Sequence, residues 1–288
     1  MVDNPQDKAA RSIAFCADDV GLVGGVAATV AELAGARRLS NASCVTTAAA
    51  WPAEGAAVGT ATKSFMGFEL GLHFNLTEGA PLSPDLARAW PRLPSLKELI
   101  VRAHLGTLPL AALASEWRAQ ADAFADVIGR VPAYVDGHQH VHHLPRIRDI
   151  VLQAIAAGPE KTRAAIRNTG HVLGPGHVFK RMVIEGTGGR ALLHELRAKK
   201  RRHNAALLGV YDFREKDYRR LVRGWLAMAP ARGGLVFCHP RQGPASDNDP
   251  IAEARGREAA YLASDAFADD LAEAGFNVGS AWQSSSAD

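Results

Sequence analysis

The sequence predicts an α/β fold in which parallel strands curl into a barrel, complete or distorted, within a single domain. Short apolar runs alternate with segments of helical periodicity along the 288 residues, an order typical of parallel sheets covered by helices. Roughly seven such units in a chain of this length fit a barrel better than an open sheet. Ionisable residues also follow the ends of several predicted strands, which is where parallel barrels assemble their active sites. Periodicity alone does not close the barrel.

The individual elements follow from apolar patterns read in chain order. Ser12 begins a nearly continuous apolar run to Ala17, as expected of a strand covered on both faces. Gly129 and Pro132 end the amphipathic helix predicted over 113–128 in the expected asymmetric way. The predicted strands cover residues 12–17, 43–47, 65–72, 133–135, 164–167, 234–238 and 276–279. The predicted helices cover residues 25–36, 113–128, 147–155, 192–208, 221–226 and 257–274.

Residues 80–110 interrupt this pattern with five prolines and two short predicted helices, around 84–90 and 95–104. No linker composition flanks the segment, so we interpret it as an insertion or lid within one domain over residues 1–288. A polar tail at 1–11 precedes the first strand. Residues 168–210 are rich in glycine and weakly periodic, and the basic run within them, 197–203, is interpreted as a solvated helix face.

Composition excludes several functional classes. The formal charge of +3 is too small to indicate nucleic-acid binding, and 47% apolar with 22% charged residues is ordinary for a soluble globular protein. No apolar run of about 18 residues predicts a transmembrane helix, and the polar start does not resemble a secretory signal. Three cysteines lack CxxC spacing, which is consistent with buried thiols in a reducing compartment. We therefore expect a cytoplasmic protein.

Four histidines lie within six positions, at 138, 140, 142 and 143, directly after the strand at 133–135. In an extended segment His138, His140 and His142 would point the same way. Neutral imidazole is the commonest metal ligand in proteins, and packing does not require so many imidazoles at one place. The alternative is a polar loop whose histidines only bond to the backbone. We favour a functional cluster, provided that partner ligands lie elsewhere in the chain.

Candidate partners follow other predicted strands. Two adjacent carboxylates, Asp18 and Asp19, end the first strand, although one of them alone could cap the next helix. The residues at the carboxyl ends of predicted strands are Asp18, Asp19, His73, His138, Arg167 and His239. Carboxylate and imidazole donors without cysteine predict a divalent metal with open coordination positions rather than a closed structural zinc site. Such a metal polarises a carbonyl, while a second Asp takes a proton from water and a histidine protonates a leaving amine. These groups suit hydrolysis of an amide.

Four segments together resemble a known family. They are Ala17-Asp18-Asp19-Val20-Gly21, 71–77 (GLHFNLT), 136–142 (DGHQHVH) and Cys238-His239-Pro240. Their order and spacing are similar to those of the YdjC-like carbohydrate deacetylases, also called the ChbG/HpnK family, over about residues 12–280. Residues 209–213 resemble a further, weaker family segment. Val20 departs from the pattern, because the family usually has an aromatic residue after the Asp pair.

The resemblance implies a distorted (β/α) TIM-like barrel and metal-dependent removal of N-acetyl groups from an amino sugar. The substrate would be an N-acetylglucosamine-containing oligosaccharide such as diacetylchitobiose, or a sugar-lipid head group. The implied metal ligands are Asp19, His73 and His138. Asp18 matches the general base, and His239 matches the general acid. The resemblance also implies that Arg167 lies near the base or the substrate, and that His140 and His142 orient the ligands or touch the substrate.

Several alternatives stay open at the level of sequence. Family members are described with magnesium, whereas two imidazoles suit zinc or another transition ion better. A metal-dependent hydrolase of phosphoesters or other amides would use similar residues, and a non-catalytic sugar-binding protein could retain them. Substrate selection is expected from residues 80–110 and 168–210, which match the family least well. A homodimer is compatible with the sequence, which does not determine the oligomeric state.

Overall fold

The computed structural model describes residues 11–158, 164–231, 234–243 and 249–283, so most of the predicted tail at 1–11 lies outside it. The predicted α/β class is confirmed. The strands are β1 (Arg11–Val20), β2 (Asn41–Cys44), β3 (Glu69–Phe74), β4 (Tyr134–Gly137), β5 (Ala165–Ile166), β6 (His203–Asn204), β7 (Leu207–Leu208), β8 (Leu235–Cys238), β9 (Phe276–Val278) and β10 (Trp282–Gln283). The helices are α1 (Val26–Gly35), α2 (Trp51–Thr62), α3 (Pro84–Ala89), α4 (Leu96–Leu105), α5 (Leu110–Ile128), α6 (Ile147–Ala157), α7 (Val178–Ile184), α8 (Arg190–Ala198), α9 (Tyr218–Met228), α10 (Ala252–Ala263) and α11 (Asp265–Glu273).

The sheet curls into a distorted barrel. Its order is β10-β6-β5-β4-β3-β2-β1-β8-β7, with β9 paired to the start of β1. Every pairing among these strands is parallel except that of β10 with β6. The parallel run ends at β6 on one side and at β7 on the other. Since only residues 205 and 206 separate these strands in the chain, the sheet returns on itself in a TIM-like arrangement, as expected.

Strand β1 faces two different environments, and its alternation sets up the functional site. Ile13, Phe15 and Ala17 belong to the large apolar core between the strands and the outer helices, where Phe15 packs edge-on against Phe267 at 4.9 Å. Ala14 and Cys16 belong instead to the small cluster inside the barrel. Successive side chains of a strand point to opposite faces, so the next inward position after Cys16 is residue 18.

The insertion at 80–110 forms the two predicted short helices. Ser83 and Ser95 cap α3 and α4 by accepting hydrogen bonds from the backbone N–H groups of residues 86 and 98. The buried carboxylate of Glu116 on α5 accepts two further N–H bonds, from residues 82 and 83. The caps stabilise the two short helices themselves, and the buried acid ties residues 82 and 83 to α5.

Two predicted helices are wrong in extent. The helix expected over 192–208 ends at residue 198, and Lys200 then adopts a left-handed φ of 49° that turns the chain into β6 and β7. Leu207 and Leu208 therefore pack in a strand rather than on a helix face. The helix expected over 257–274 is two helices, α10 and α11, because Ser264 between them is extended (φ −78°, ψ 158°).

The histidine segment 138–143 is not extended, so the prediction that three alternate histidines point the same way is wrong. Gln139 and His140 have left-handed φ values of 52° and 63°, and the segment forms a kinked 3₁₀ turn. A Cβ on Gly137 would lie 2.8 Å from the backbone nitrogen of His142, so the chain folds back tightly over this glycine. His138, His140 and His142 consequently have different surroundings.

His142 fastens this turn to the barrel. Its imidazole is fully buried, and its Nε2 donates a hydrogen bond to the backbone carbonyl of Arg167, at 2.9 Å. Burial lowers the pKa of His142 to about 4, despite this bond to a carbonyl. The adjacent His143 shares a 2.9 Å hydrogen bond with Thr169. The turn is therefore held by neutral imidazoles.

In the described part of the chain, no helix is long and apolar enough to cross a bilayer.

Gly71 in β3 has no room for a side chain, and Gly71→Ala should lower the free energy of unfolding by about 1–3 kcal/mol. Its Cβ would lie within 3.0 Å of the Tyr134 ring, which is held between a hydrogen bond to Ser43 and the Trp282 ring. Gly256→Ala is the matched control, because nothing lies within 4 Å of that site on α10. The control should stabilise by about 0.5–1 kcal/mol in urea unfolding. Equal effects of both substitutions would contradict the packing described.

The buried His142 should make the protein acid-sensitive. Its pKa is about 4 in the folded protein and 6.5 in the unfolded chain, so its contribution to stability is present above pH 6.5 and lost as pH falls towards 4. The loss amounts to about 3 kcal/mol for this group. His142→Gln should reduce the fall in unfolding free energy between pH 7 and pH 4, measured by urea titration. Replacement of the exposed His104 by Gln should not, and parallel curves for wild type and His142→Gln would disprove the assignment.

Candidate metal centre and active site

Adjacent Asp18 and Asp19 both reach one site because β1 carries a bulge between them. The register of β1 against β2 shifts between residues 17 and 20, where β1 has one extra residue, and Asp19 has a left-handed φ of 70°. Asp18 follows the strand alternation into the barrel. Without the bulge, Asp19 would point to the opposite face. Both carboxylates are only 2% exposed.

Three of the predicted residues converge on one point. Oδ1 of Asp19 lies 3.6 Å from Nε2 of His73 and 3.1 Å from Nδ1 of His138. One donor atom from each of the three residues can be chosen so that all lie within 4.8 Å of one another. A carboxylate with two imidazoles is a donor set for a divalent ion with positions left open for other ligands. The predicted set Asp19, His73 and His138 is thus brought together as expected, and its role as a metal site stays a prediction.

Asp136 orients His73. Nδ1 of His73 donates to Oδ1 of Asp136 at 2.6 Å, which leaves the Nε2 lone pair facing Asp19. A carboxylate behind a histidine ligand fixes the tautomer in this way in metal sites. Asp136 belongs to the 136–142 motif, but nothing in the sequence pattern assigns it this role. The role follows from the pairing of β3 with β4, which places Asp136 beside His73 in register.

The carboxylates around His138 favour the protonated form of its imidazole. Burial disfavours its cation, but the hydrogen bond to Asp19 and the negative charges of Asp19 and Glu78 outweigh that cost and raise the pKa of His138 to about 10. Its Nε2 lies 3.6 Å from Oε1 of Glu78 and is a buried atom without a hydrogen-bond partner among the described residues. A cation is therefore favoured at this point, and the donor chemistry fits a divalent ion.

Arg167 binds the other carboxylate of the pair. Its guanidinium donates to both oxygens of Asp18, at 2.7 and 2.6 Å, and its Nη2 lies 2.5 Å from Oδ2 of Asp136. Ser43 also donates to that oxygen of Asp136, at 2.6 Å. The carboxylates raise the pKa of Arg167 well above its usual value, although burial acts against this. Arg167 is therefore in direct contact with Asp18, and its role at the site stays a prediction.

The three residues expected near the base, ligands or substrate lie in different places. Arg167 and His142 are both fully buried and are not among the residues that line the cavity, and their roles stay predictions. His140 does line the cavity and packs edge-on against Phe237, at 5.4 Å between ring centroids.

His239 lines the cavity on the side of β8. It stands edge-on to the rings of Phe213 and Phe237, at 5.2 and 5.7 Å. Burial lowers the pKa of His239 to about 4, although the charges of Asp19 and Asp18 act in the opposite direction. The imidazole is therefore neutral at pH 7 in the free protein. The structure places it with Asp18 and Asp19 at one cavity, as the strand-end argument predicts.

Helix α10 supplies two site residues that sequence analysis missed. Arg255 donates to Oδ2 of Asp19 at 2.7 Å and to Asp249 at 2.8 Å. Glu258 accepts a hydrogen bond from the backbone N–H of His239. The two lie three residues apart on one helix face and are 2% and 0% exposed. In the sequence they look like ordinary charges of a solvated helix, so the only available signal was their spacing.

The site opens into a cavity of about 580 Å³. Its floor carries the carboxylates and imidazoles described above, and its walls are largely apolar. The apolar wall residues are Leu22, Val23, Leu96, Val183, Ile184, Phe213, Phe237, Pro250 and Ile251. Leu96 and Val183 come from the two segments expected to select substrate, 80–110 and 168–210. A polar floor with apolar walls orients a small ligand by a few directional contacts.

Comparison with known proteins agrees with this architecture. A family model described as YdjC-like protein matches residues 12–273. A carbohydrate deacetylase from Danio rerio is 35% identical over 95 residues, which are 30% of this chain and 29% of that protein. A chitooligosaccharide deacetylase from Enterobacter sp. (strain 638) is 37% identical over 102 residues, 33% of this chain and 37% of that protein. The matched segments span about a third of these relatives.

The fold is also found in a solved structure. The crystal structure of a candidate cellobiose-phosphate cleavage protein from Enterococcus faecalis V583 superposes with a TM-score of 0.71 and 17% identity, covering 94% of this chain and 97% of that one. At this identity the likeness concerns the fold alone. The family model, in contrast, covers the strands and the motifs that build the site. The chain belongs to the YdjC-like protein family.

Proposed function

We propose that this protein is a metal-dependent hydrolase that removes N-acetyl groups from an amino sugar, an N-acetylglucosamine-containing oligosaccharide or a sugar-lipid head group. The observation that carries the proposal is the convergence of Asp19, His73 and His138 beside Asp18 and His239 in one cavity. Relatives named as carbohydrate and chitooligosaccharide deacetylases support the substrate class.

The donor set fits one divalent ion, with Asp19, His73 and His138 as the residues that would hold it. When bound, the ion supplies a Lewis acid for the acetamide carbonyl and lowers the pKa of water. Two imidazoles favour zinc or another transition ion, while carboxylate oxygen also suits magnesium. His73 has the tautomer that a ligand needs, because its Nδ1–H donates to Asp136 and its Nε2 is free to bind the ion.

Asp18 is the general base of the proposed reaction. Its Oδ2 lies 4.0 Å from Nε2 of His73, so the carboxylate stands next to the ligand set. Arg167 holds both of its oxygens, which fixes the carboxylate plane without a contact between Arg167 and the cavity. Asp18 removes a proton from the attacking water. A general base must lie within hydrogen-bond reach of the proton that it takes.

His239 is the proposed general acid. When the amide C–N bond breaks, the bonding electron pair stays on the amine nitrogen of the sugar. That nitrogen takes a proton from the imidazole of His239. Acetate and a free amine are the products. The rings of Phe213 and Phe237 flank His239 and keep it apart from bulk water.

The arrangement favours amide hydrolysis at one ion over a two-metal phosphoesterase. A second group of donors lies nearby, formed by Cys16, Asp18 and Asp136. The guanidinium of Arg167 occupies the space between these side chains and contacts all three. A second cation there would need to displace a buried arginine. Two-metal sites depend on an adjacent ion about 4 Å away.

Acetate release tests the proposal directly. Metal-stripped protein should release no acetate from N,N′-diacetylchitobiose, and addition of Mg²⁺, Zn²⁺, Mn²⁺ or Co²⁺ should restore release with at least one ion. The measurement is acetate by coupled assay, with N-acetylglucosamine-bearing lipid as a parallel substrate. Lack of release from both substrates with every ion would contradict deacetylation, and lack of metal binding by calorimetry would contradict the site itself.

Two carboxylates that share Arg167 should have separable effects. Asp18→Asn should keep metal affinity within about threefold and lower kcat by about 10²- to 10⁴-fold, because it removes the base. Asp136→Asn should instead weaken metal binding by about 10- to 100-fold, because His73 loses its orienting acceptor. Each variant removes one partner of Arg167, so each controls for the other. Metal calorimetry and steady-state kinetics distinguish them, and near-wild-type turnover of Asp18→Asn would remove its assigned role.

A further inference from the structure

Glu258 is a buried carboxylate at the site whose position the proposed mechanism does not yet use. It lies on α10, is fully buried, and faces β8 rather than solvent. An ionised side chain is rarely buried to this degree without a partner of opposite charge. Arg255 on the same helix binds Asp19 and Asp249 instead. The groups that hydrogen-bond to Glu258, the Tyr211 hydroxyl and the His239 backbone N–H, are neutral.

The contacts of Glu258 converge on His239. One carboxylate oxygen, Oε2, accepts the backbone N–H of His239, and the other, Oε1, accepts the hydroxyl of Tyr211. Oε1 lies 4.0 Å from Nδ1 of the same His239. Among the described residues, that Nδ1 is a buried atom without a hydrogen-bond partner. The imidazole thus turns an unpaired nitrogen towards Glu258 and leaves Nε2 for the cavity.

We propose that Glu258 is the partner of His239, holding its imidazole in place and supplying the proton that His239 passes to the departing amine. This inference rests on the proposed function, since it concerns the acid step of that reaction. The 4.0 Å separation is longer than a hydrogen bond. Catalytic hydrogen bonds are often long in ligand-free structures and shorten when substrate binds.

The electrostatic balance of the pair supports this role. Burial raises the pKa of Glu258 to about 7, although the bonds from Tyr211 and His239 act against the rise. Burial lowers the pKa of His239 to about 4. The pair therefore binds one proton near neutral pH, and that proton resides on the carboxyl group. The titratable and charged groups that face Glu258 are Tyr211, Tyr218, Cys238, His239, Asp18 and Arg255.

The proton transfer balances without any further reactant. The imidazole starts neutral with its proton on Nε2, and Glu258 starts as a carboxylic acid. When the C–N bond breaks, the nitrogen keeps the bonding electron pair and takes the Nε2 proton. Glu258 gives its own proton to Nδ1. The imidazole ends neutral with its proton on Nδ1, and Glu258 ends as a carboxylate. For the next turnover, Nδ1 returns its proton to Glu258 and Nε2 takes a proton from solvent in the cavity.

Glu258→Gln tests the role in the full-length metal-loaded protein. The amide is isosteric but binds no proton, so kcat for an N-acetyl sugar should fall by about 10- to 100-fold with little change in KM. Hydrolysis of p-nitrophenyl acetate should change less than threefold, because a phenolate leaves without protonation. Asp270→Asn is the matched control, since Asp270 is also a buried acid bonded to a tyrosine, at 2.7 Å from Tyr261, but lies on α11. It should lower thermal stability and leave kcat unchanged.

The pH profile separates positioning from general structural damage. In the wild type, kcat/KM should fall as pH rises through about 7, because the pair loses its proton there. In Glu258→Gln this limb should move towards the pKa of His239, about 4. An unshifted limb, or equal losses on the amide and the phenyl ester, would overturn the proposal.

NMR of the His239 imidazole tests its pairing with Glu258 independently of acetate release. In long-range ¹H–¹⁵N spectra, His239, assigned through the His239→Gln variant, should sense a titration near pH 7 that disappears in Glu258→Gln. If the wild type releases no acetate from amides, the proposed function fails, and this spectrum still decides whether the two residues are paired. Identical His239 signals in wild type and Glu258→Gln would refute the pairing.

Discussion

The site depends on a guanidinium buried between two carboxylates. Arg167 has no exposed surface, yet it binds Asp18 through both oxygens and contacts Asp136 as well. A buried ion costs several kcal/mol of desolvation, and removal of one partner leaves that cost uncompensated. Here one cation pairs with two anions that contact different groups. Asp18 faces the cavity, while Asp136 bonds to His73, so the proposed base and the proposed ligand are held in a fixed relation by the same guanidinium.

A second arginine completes this arrangement. Adjacent carboxylates repel, and Asp18 and Asp19 would be unfavourable together in a buried site without separate counter-charges. Arg167 approaches Asp18 from inside the barrel, and Arg255 approaches Asp19 from α10. The bulge in β1 makes these two directions available, because it turns Asp19 away from the strand alternation. The bulge and the two arginines therefore act together to allow two adjacent carboxylates to be buried.

Helix α10 links the two halves of the chemistry. Its Arg255 steadies a proposed metal ligand, and its Glu258 adjoins the proposed general acid. The low polarity around His239 and Glu258 strengthens charge interactions and shifts the pKa values of these buried groups. This explains why His239 and Glu258 have pKa values displaced in opposite directions by the same burial.

The sequence by itself determined the elements whose burial follows a regular period and the residues that stand at strand ends. The apolar run of β1, the amphipathic face of α5 with its Gly129 stop, and the sites of Asp18, Asp19, His73, His138 and His239 were all predictable, because alternation and strand order are local signals. Only the tertiary structure decided which charged side chains are buried together. Asp136 and Glu258 come within reach of their histidines through pairing between distant segments. The left-handed turn at Gln139 and His140 depends on close packing over Gly137. The end of α8 depends on where β6 and β7 join the sheet. Such contacts join residues far apart in the chain, and no local pattern of polarity records them.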